Sequence, residues 1–278
     1  MTVRTIKSIT TGNQGVDGAG VKLTRVLNDE TIDDFDPFLM LDVFDATNPD
    51  DYIKGFPMHP HRGMETFTYL LEGTIEHADS LGNKGVITAG SAQWMTAGSG
   101  ILHQEMPQAS KRLAGLQLWV NLPRADKMTA PAYRDIDAAS VPKVSEPAAD
   151  VAVVAGSYKG ADGAAQGDFI NVTLLDVTIK PGQTWSVPTK RGDTLFLYMF
   201  SGECRFAGEE SVVSKQAVLF NDGDVFSVTG GPEESRFVLV SGKPLHEPVE
   251  WGGPIVMNTA EELRAAFDEL HSGTFIRS

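Results

Sequence analysis

Three of the six histidines fall in two short motifs. Met58-His59-Pro60-His61-Arg62-Gly63-Met64-Glu65 carries two of them, and Gly100-Ile101-Leu102-His103-Gln104-Glu105 carries the third. On an extended strand, residues i and i+2 point to one face. His59 and His61 therefore project together, and so do His103 and Glu105. If the two strands are neighbours in a barrel, three imidazoles and one carboxylate converge. Both donor types bind transition metals, and imidazole suits Zn, Cu, Fe and Ni. Three or four protein ligands with room left for water make an open, reactive centre rather than a closed structural one. A lone His-x-His is common by chance. The second pair, 42 residues after His61 and beyond a strand–turn–strand stretch, is what makes a candidate metal centre. His77, His246 and His271 lie in polar or tail contexts and read as surface or local hydrogen-bonding residues.

The elements that must position these residues are strands. The 28 glycines and 15 prolines are spread along the chain and punctuate short apolar runs, the pattern of an all-β protein. Strands are expected over 38–43, 65–71, 86–88, 116–121, 151–155, 170–179, 194–200, 217–220 and 236–241. Turn signals separate them, among them Lys180-Pro181-Gly182 and Asn221-Asp222-Gly223-Asp224. One helix is expected near the C-terminus. Thr259-x-x-Glu262 reads as a capping box, and Leu263, Ala266, Phe267 and Leu270 follow on one apolar face.

The chain has 278 residues and a formal charge of −14, with 41% hydrophobic residues. That is enough for two ordinary domains and excludes disorder throughout. The acidic balance argues against direct nucleic-acid binding, which needs a basic patch. No apolar run approaches the ~18–20 residues that span a bilayer, so no membrane is expected. The opening MTVRTIKSITTG lacks an apolar signal region, and Cys204 has no second cysteine to pair with. Both fit a reducing compartment, and the cytoplasm is the expected location, with the nucleus added for a eukaryotic chain.

An internal repeat divides the chain. Tyr69-Leu70-Leu71-Glu72-Gly73 corresponds to Tyr198-Met199-Phe200-Ser201-Gly202, and Arg62-Gly63 to Arg191-Gly192. The reading is an N-terminal barrel over 1–128, a linker over 129–150, a C-terminal barrel over 151–257, and a helix with tail over 258–278. Residues 157–168 read as an exposed loop. In the repeat alignment His59 maps to Pro188, His61 to Lys190, and His103 and Glu105 to Arg236 and Val238. The second half thus lacks every ligand, and the metal is expected in the first. Cys204 reads as a small core residue.

His59-x-His61-x3-Glu65 before a glycine turn resembles the first cupin motif. More specifically, FDPFLMLDVF, FPMHPHRGMETFTYLLEG, QWMTAGSGILHQEMP and GLQLWVNLP resemble the signature blocks of the pirin family, and FVLVSGKPLHEPV and GPIVMNTAEEL extend the resemblance to about residue 270. The resemblance implies two jelly-roll-like cupin β-barrels in tandem, with one divalent metal bound by His59, His61, His103 and Glu105. It implies Fe(II), although Mn, Ni, Cu and Zn accept the same donor set. Generic cupins often use the glutamate that falls here at Glu65. By strand parity Glu65 also points inward, as a competing ligand or as a partner that orients a histidine.

Two functions follow from the resemblance. The first is a dioxygenase of the quercetin 2,3-dioxygenase type, which opens a flavonol with O2 and releases CO. Glu105 is then the candidate base for the flavonol 3-hydroxyl, with Glu65 in reserve. Phe56, Phe44, Trp94 and Met95 are near enough in sequence to line a planar slot. The alternative is a metal- or redox-dependent module that binds a regulatory protein, without an enzyme activity of its own. Oxygen uptake with quercetin discriminates the two, as does a pull-down compared between ferrous and ferric protein.

Overall fold

Glycines and prolines cut this chain into short runs of β-branched and aromatic residues, and such runs pair as strands rather than continue as helices. The computed structural model describes residues 1–207 and 211–276. Its strands form two units built on one plan.

The first unit comprises Asn13–Ala139 and the C-terminal segment from Leu245. Its wide sheet runs in the order Ala132–Ile136, Ala92–Thr96, Met64–Glu72, Leu113–Asn121, Phe38–Ala46, Val21–Leu27, Asn13–Asp17. Its narrow sheet runs Phe56–His61, Ile101–Pro107, Thr74–Asp79, Lys84–Thr88. Neighbours in both are antiparallel. The two sheets share apolar cores: Met40, Met64, Met95 and Trp119 pack with Ile101, and Phe44 and Leu70 pack with Ile75 and Ile87.

The second unit comprises Met1–Gly12 and Ser140–Pro244. Its wide sheet has the corresponding order Ile6–Thr10, Ala217–Phe220, Thr194–Ser201, Ser235–Gly242, Thr173–Ile179, Ala149–Ala155, Lys143–Ser145. Its narrow sheet is Thr184–Pro188, Val225–Gly230, Glu203–Phe206, Ser211–Val213. One continuous core fills it, with Trp185, Val187, Phe226, Val228 and Cys204 buried together.

The expected helix is present as Ala260–Ser272, with the Thr259/Glu262 capping box formed in both directions and Gly273 closing it in the left-handed region. Four readings differ from the structure. The division does not follow sequence order at the termini. Ile6–Thr10 pairs with Ala217–Phe220 of the second unit, while the chain from Leu245, helix included, belongs to the first. The stretch read as a linker holds two strands, Ala132–Ile136 on Ala92–Thr96 and Lys143–Ser145 on Ala149–Ala155, because edge strands tolerate the polar, irregular composition found there. Within 157–168, Ser157–Tyr158 and Ala161–Asp162 form a short hairpin, with Tyr158 and Ala165 buried. Finally, the strand equivalent to Ile101–Pro107 is Val225–Gly230, not the one holding Arg236 and Val238. The inward positions of that narrow sheet are filled by Trp185, Val187, Phe226 and Val228, so the second barrel holds apolar bulk where the first holds imidazoles.

Candidate metal centre

Strand pairing brings the two motifs together. Phe56–His61 and Ile101–Pro107 are antiparallel neighbours, with His103 opposite His59. Along Ile101–Pro107 burial alternates, so Ile101, His103, Glu105 and Pro107 share the inward face. The ligating nitrogens of His59, His61 and His103 all lie within 4.8 Å of one another. Their ring centroids are 4.8 Å (His59–His61), 4.4 Å (His59–His103) and 5.0 Å (His61–His103) apart.

Each ring is set up differently. His59 Nδ1 hydrogen-bonds the Pro57 carbonyl at 2.9 Å, and His61 Nδ1 the Pro254 carbonyl at 3.2 Å. A ring that donates from Nδ1 presents Nε2 as the free donor atom, the arrangement that metal-binding histidines use. His103 is 1% exposed, and neither of its ring nitrogens has a hydrogen-bond partner. Burial, then the charge of His59, pushes the His61 pKa down to about 3. Burial, then His61, His59 and His77, pushes that of His103 well below the usual range. Both rings are therefore neutral at pH 7, the form that binds a metal. Two anchored rings and one buried ring with orphaned nitrogens, all facing one point, fit a transition-metal ion.

Glu105 stands outside this three-histidine group. It is 3% exposed, and both its oxygens are taken: Thr68 Oγ1 donates to Oε1 at 3.0 Å and Gln117 Nε2 to Oε2 at 2.6 Å. Glu65 does not join the site. Thr66 and Thr68 on its strand pair with Trp119 and Gln117 and face the histidines, so Glu65 faces the other way, where Thr96 Oγ1 donates to its Oε1 at 2.6 Å. The parity reading fails because His61 and Glu65 are on different strands. Gly63, at φ +77°, turns the chain between them and resets the alternation. His77 is buried rather than on the surface, with Nδ1 bonded to the Tyr133 hydroxyl and Nε2 3.2 Å from Asp135. His246 and His271 are exposed.

A cavity of about 700 Å³ opens beside His59 and His61. One wall is aromatic: Phe56, Trp119 and Trp251, with Trp119 edge-on to His61 at 5.0 Å and Trp251 5.7 Å from Trp119. The lining also includes the polar residues Arg25, Asp42 and Asp17. Arg25 donates to Asp42 from Nε at 2.9 Å and Nη2 at 2.7 Å, and Asp17 accepts a further bond at 2.7 Å. Asp42 is 2% exposed, and burial raises its pKa against the opposing pull of Arg25. Of the four residues expected to line a slot, Phe56 does. Phe44 and Met95 are in the apolar cores, and Trp94 packs edge-on against Phe67. Sequence reasoning missed Trp119, Gln117, Trp251 and Pro254. Trp119 and Gln117 could have been found by alternation on Leu113–Asn121. The other two come from a segment about 190 residues away, where no local pattern marks them.

Two antiparallel β-barrels of one plan, one of them gathering three inward histidines beside a cavity, define a two-domain cupin protein with a candidate metal centre in one domain. The chain belongs to the pirin family: residues 20–120 match the family profile described as Pirin, and residues 174–276 the one described as Pirin C-terminal cupin domain. It is 41% identical to a Pirin-like protein of Caulobacter vibrioides, over 99% of this chain and 100% of that one. It is 40% identical to a Pseudomonas aeruginosa protein named "Putative quercetin 2,3-dioxygenase", over 97% of each. Among solved structures it is similar to quercetin 2,3-dioxygenase from Acinetobacter baumannii, with a TM-score of 0.90 and 31% identity over 98% of each chain. Among the described residues, no helix is long and apolar enough to cross a membrane.

Proposed function

We propose that this protein is a metal-dependent dioxygenase of the quercetin 2,3-dioxygenase type. His59, His61 and His103 hold one divalent metal, with Fe(II) the first choice, and a flavonol lies in the adjoining cavity. The observation that carries the reading is a three-histidine cluster beside an aromatic-lined cavity of about 700 Å³, large enough for a drug-sized planar molecule, with a buried carboxylate on the His103 strand. The likeness to the Acinetobacter baumannii quercetin 2,3-dioxygenase supports it. A metal at the three histidines supplies Lewis acidity to the flavonol 3-hydroxyl. Trp119 and Trp251 stack against the flat rings and exclude water. Glu105 takes the 3-hydroxyl proton. Thr68 and Gln117 each donate to one of its oxygens, which supports a carboxylate held in one orientation for that role. Overall, one O2 is consumed and one CO released per flavonol opened.

The test is oxygen uptake and CO release with quercetin by the Fe(II)-loaded protein. Equal amounts of each, both lost in His61→Ala, are expected. Metal-loaded protein that consumes no oxygen with any flavonol overturns the reading.

A further inference from the structure

His61 ends its strand, and the two residues after it hold some of the most strongly tied groups in this unit. Arg62 is 2% exposed. Its Nε donates to the Ser99 carbonyl at 2.7 Å, and its Nη2 to Glu269 at 2.7 Å and to the Phe275 carbonyl at 2.9 Å. Its guanidinium lies 4.1 Å over the Phe275 ring. The Gly63 carbonyl accepts from Lys127 Nζ at 2.7 Å. Lys127 is also 2% exposed, and its remaining donors go to Asn121 Oδ1 at 2.7 Å and the Val256 carbonyl at 3.1 Å. Val256 N donates to the Arg62 carbonyl at 3.0 Å. The approach is so close that a Cβ on Gly63 would lie 1.9 Å from the Val256 carbonyl oxygen.

Burying two cations carries a desolvation penalty that apolar packing would avoid. What the charged groups supply is direction: an ammonium with three carbonyl-type acceptors fixes the relative position of three backbone segments. Here the segments are the turn after His61, the end of Leu113–Asn121, and residues 251–257. The last of these presents the Pro254 carbonyl to His61 Nδ1 and lines the cavity with Trp251, Gly253 and Pro254.

We propose that residues 251–257 are a positioning element of the metal centre, and that buried Lys127, by joining Val256 to Gly63, sets the Pro254 carbonyl that orients His61. The inference rests on the metal-centre reading above. Lys127 touches neither the metal ligands nor the cavity. It is a positioning residue that acts through Val256, Pro254 and His61.

The experiment compares Lys127→Met with Arg4→Met and His61→Ala in the full chain. Arg4 is an equally buried cation in the other unit, bonded to Thr189, Lys190 and Asp193. Co(II) affinity is measured by chelator competition, Co(II) coordination by its visible absorption spectrum, and folding by the Tm of metal-free protein. Lys127→Met is expected to weaken Co(II) about 10–100-fold, the usual effect of losing a group that orients a ligand, and to alter the spectrum. Arg4→Met is expected to lower Tm with affinity and spectrum unchanged. Wild-type affinity and spectrum in Lys127→Met overturn the inference, and so does an equal loss in Arg4→Met, which would mean general loosening. If His61→Ala binds Co(II) normally, the metal-centre reading itself fails. If only His61→Ala loses Co(II), that reading stands and the role of Lys127 does not. Should Lys127→Met not fold, Asn121→Ala removes one of the three acceptors that hold Lys127. Weaker Co(II) binding with a spectrum altered from wild type supports the proposal, and wild-type affinity and spectrum overturn it.

Discussion

In the proposed reaction, Glu105 is the residue on which proton transfer turns. Glu105→Gln keeps the side chain's size but cannot accept a proton at neutral pH. Turnover per bound metal should fall ~10²–10⁴-fold, the usual worth of a positioned base, while the three histidines still hold metal. Glu65→Gln, on the far face of its strand, should leave turnover per metal near wild type. The reverse outcome would hand the base role to Glu65. The buried histidines also predict how the metal-free protein responds to acid. The pKa of His61 falls from the ordinary 6.5 to about 3, and that of His103 falls in the same direction. Between about pH 3 and 6.5 the unfolded chain binds a proton at His61 that the folded chain does not. Stability is therefore full above pH 6.5 and is lost as pH falls towards 3, by about 1.4 kcal/mol per pH unit for His61, with His103 acting in the same direction. Urea unfolding of metal-free wild type against a His61→Gln variant across that range should show a shallower slope in the variant.

At the scale of elements, the narrow sheet carries the histidines and the C-terminal segment closes round them. Trp251 contributes one aromatic wall from that segment. Trp251→Ala should raise KM for the flavonol about 3–10-fold with a smaller change in kcat, since aromatic pairs contribute roughly 0.5–1.5 kcal/mol beyond buried area. Steady-state kinetics on metal-loaded protein decide this, and a fall in kcat alone would place Trp251 elsewhere in the cycle. The helix Ala260–Ser272 depends on its Thr259 cap, so Thr259→Ala should lower stability by about 1 kcal/mol, read from the denaturant midpoint.

For the whole molecule the two barrels differ in what fills them. In the second, Trp185, Val187, Phe226 and Val228 form a core with no imidazole among them. Elemental analysis of purified protein should therefore give about one metal per chain, bound in the first unit. A second equivalent that survives His61→Ala would contradict this. Phe226 is fully buried among Trp185, Phe206, Phe220 and Phe237. Phe226→Ala should cost about 3–5 kcal/mol by removing packed apolar volume, measured by thermal unfolding with metal content unchanged.

The strands, the helix with its caps and the three histidines were legible in the sequence because each depends on neighbours a few residues away. Alternation on a strand makes His59 and His61 co-facial, and the Thr259/Glu262 box needs only one helical turn. The doubling of the fold was legible as well, through the Tyr69 and Tyr198 strands. Glu65 was misread because alternation holds within one strand and Gly63 ends it. His103 was aligned with the wrong strand of the second barrel because loops of unequal length shift the register between repeats. The Pro254 carbonyl and Trp251 belong to a segment about 190 residues from His61. Backbone carbonyls carry no sequence signature, and long-range packing of buried Arg62 and Lys127 decides where that segment lies. The residue types that could bind a metal were therefore set by local sequence, whereas tertiary structure alone decided that Glu65 faces away from them, what orients His61 and what walls the cavity.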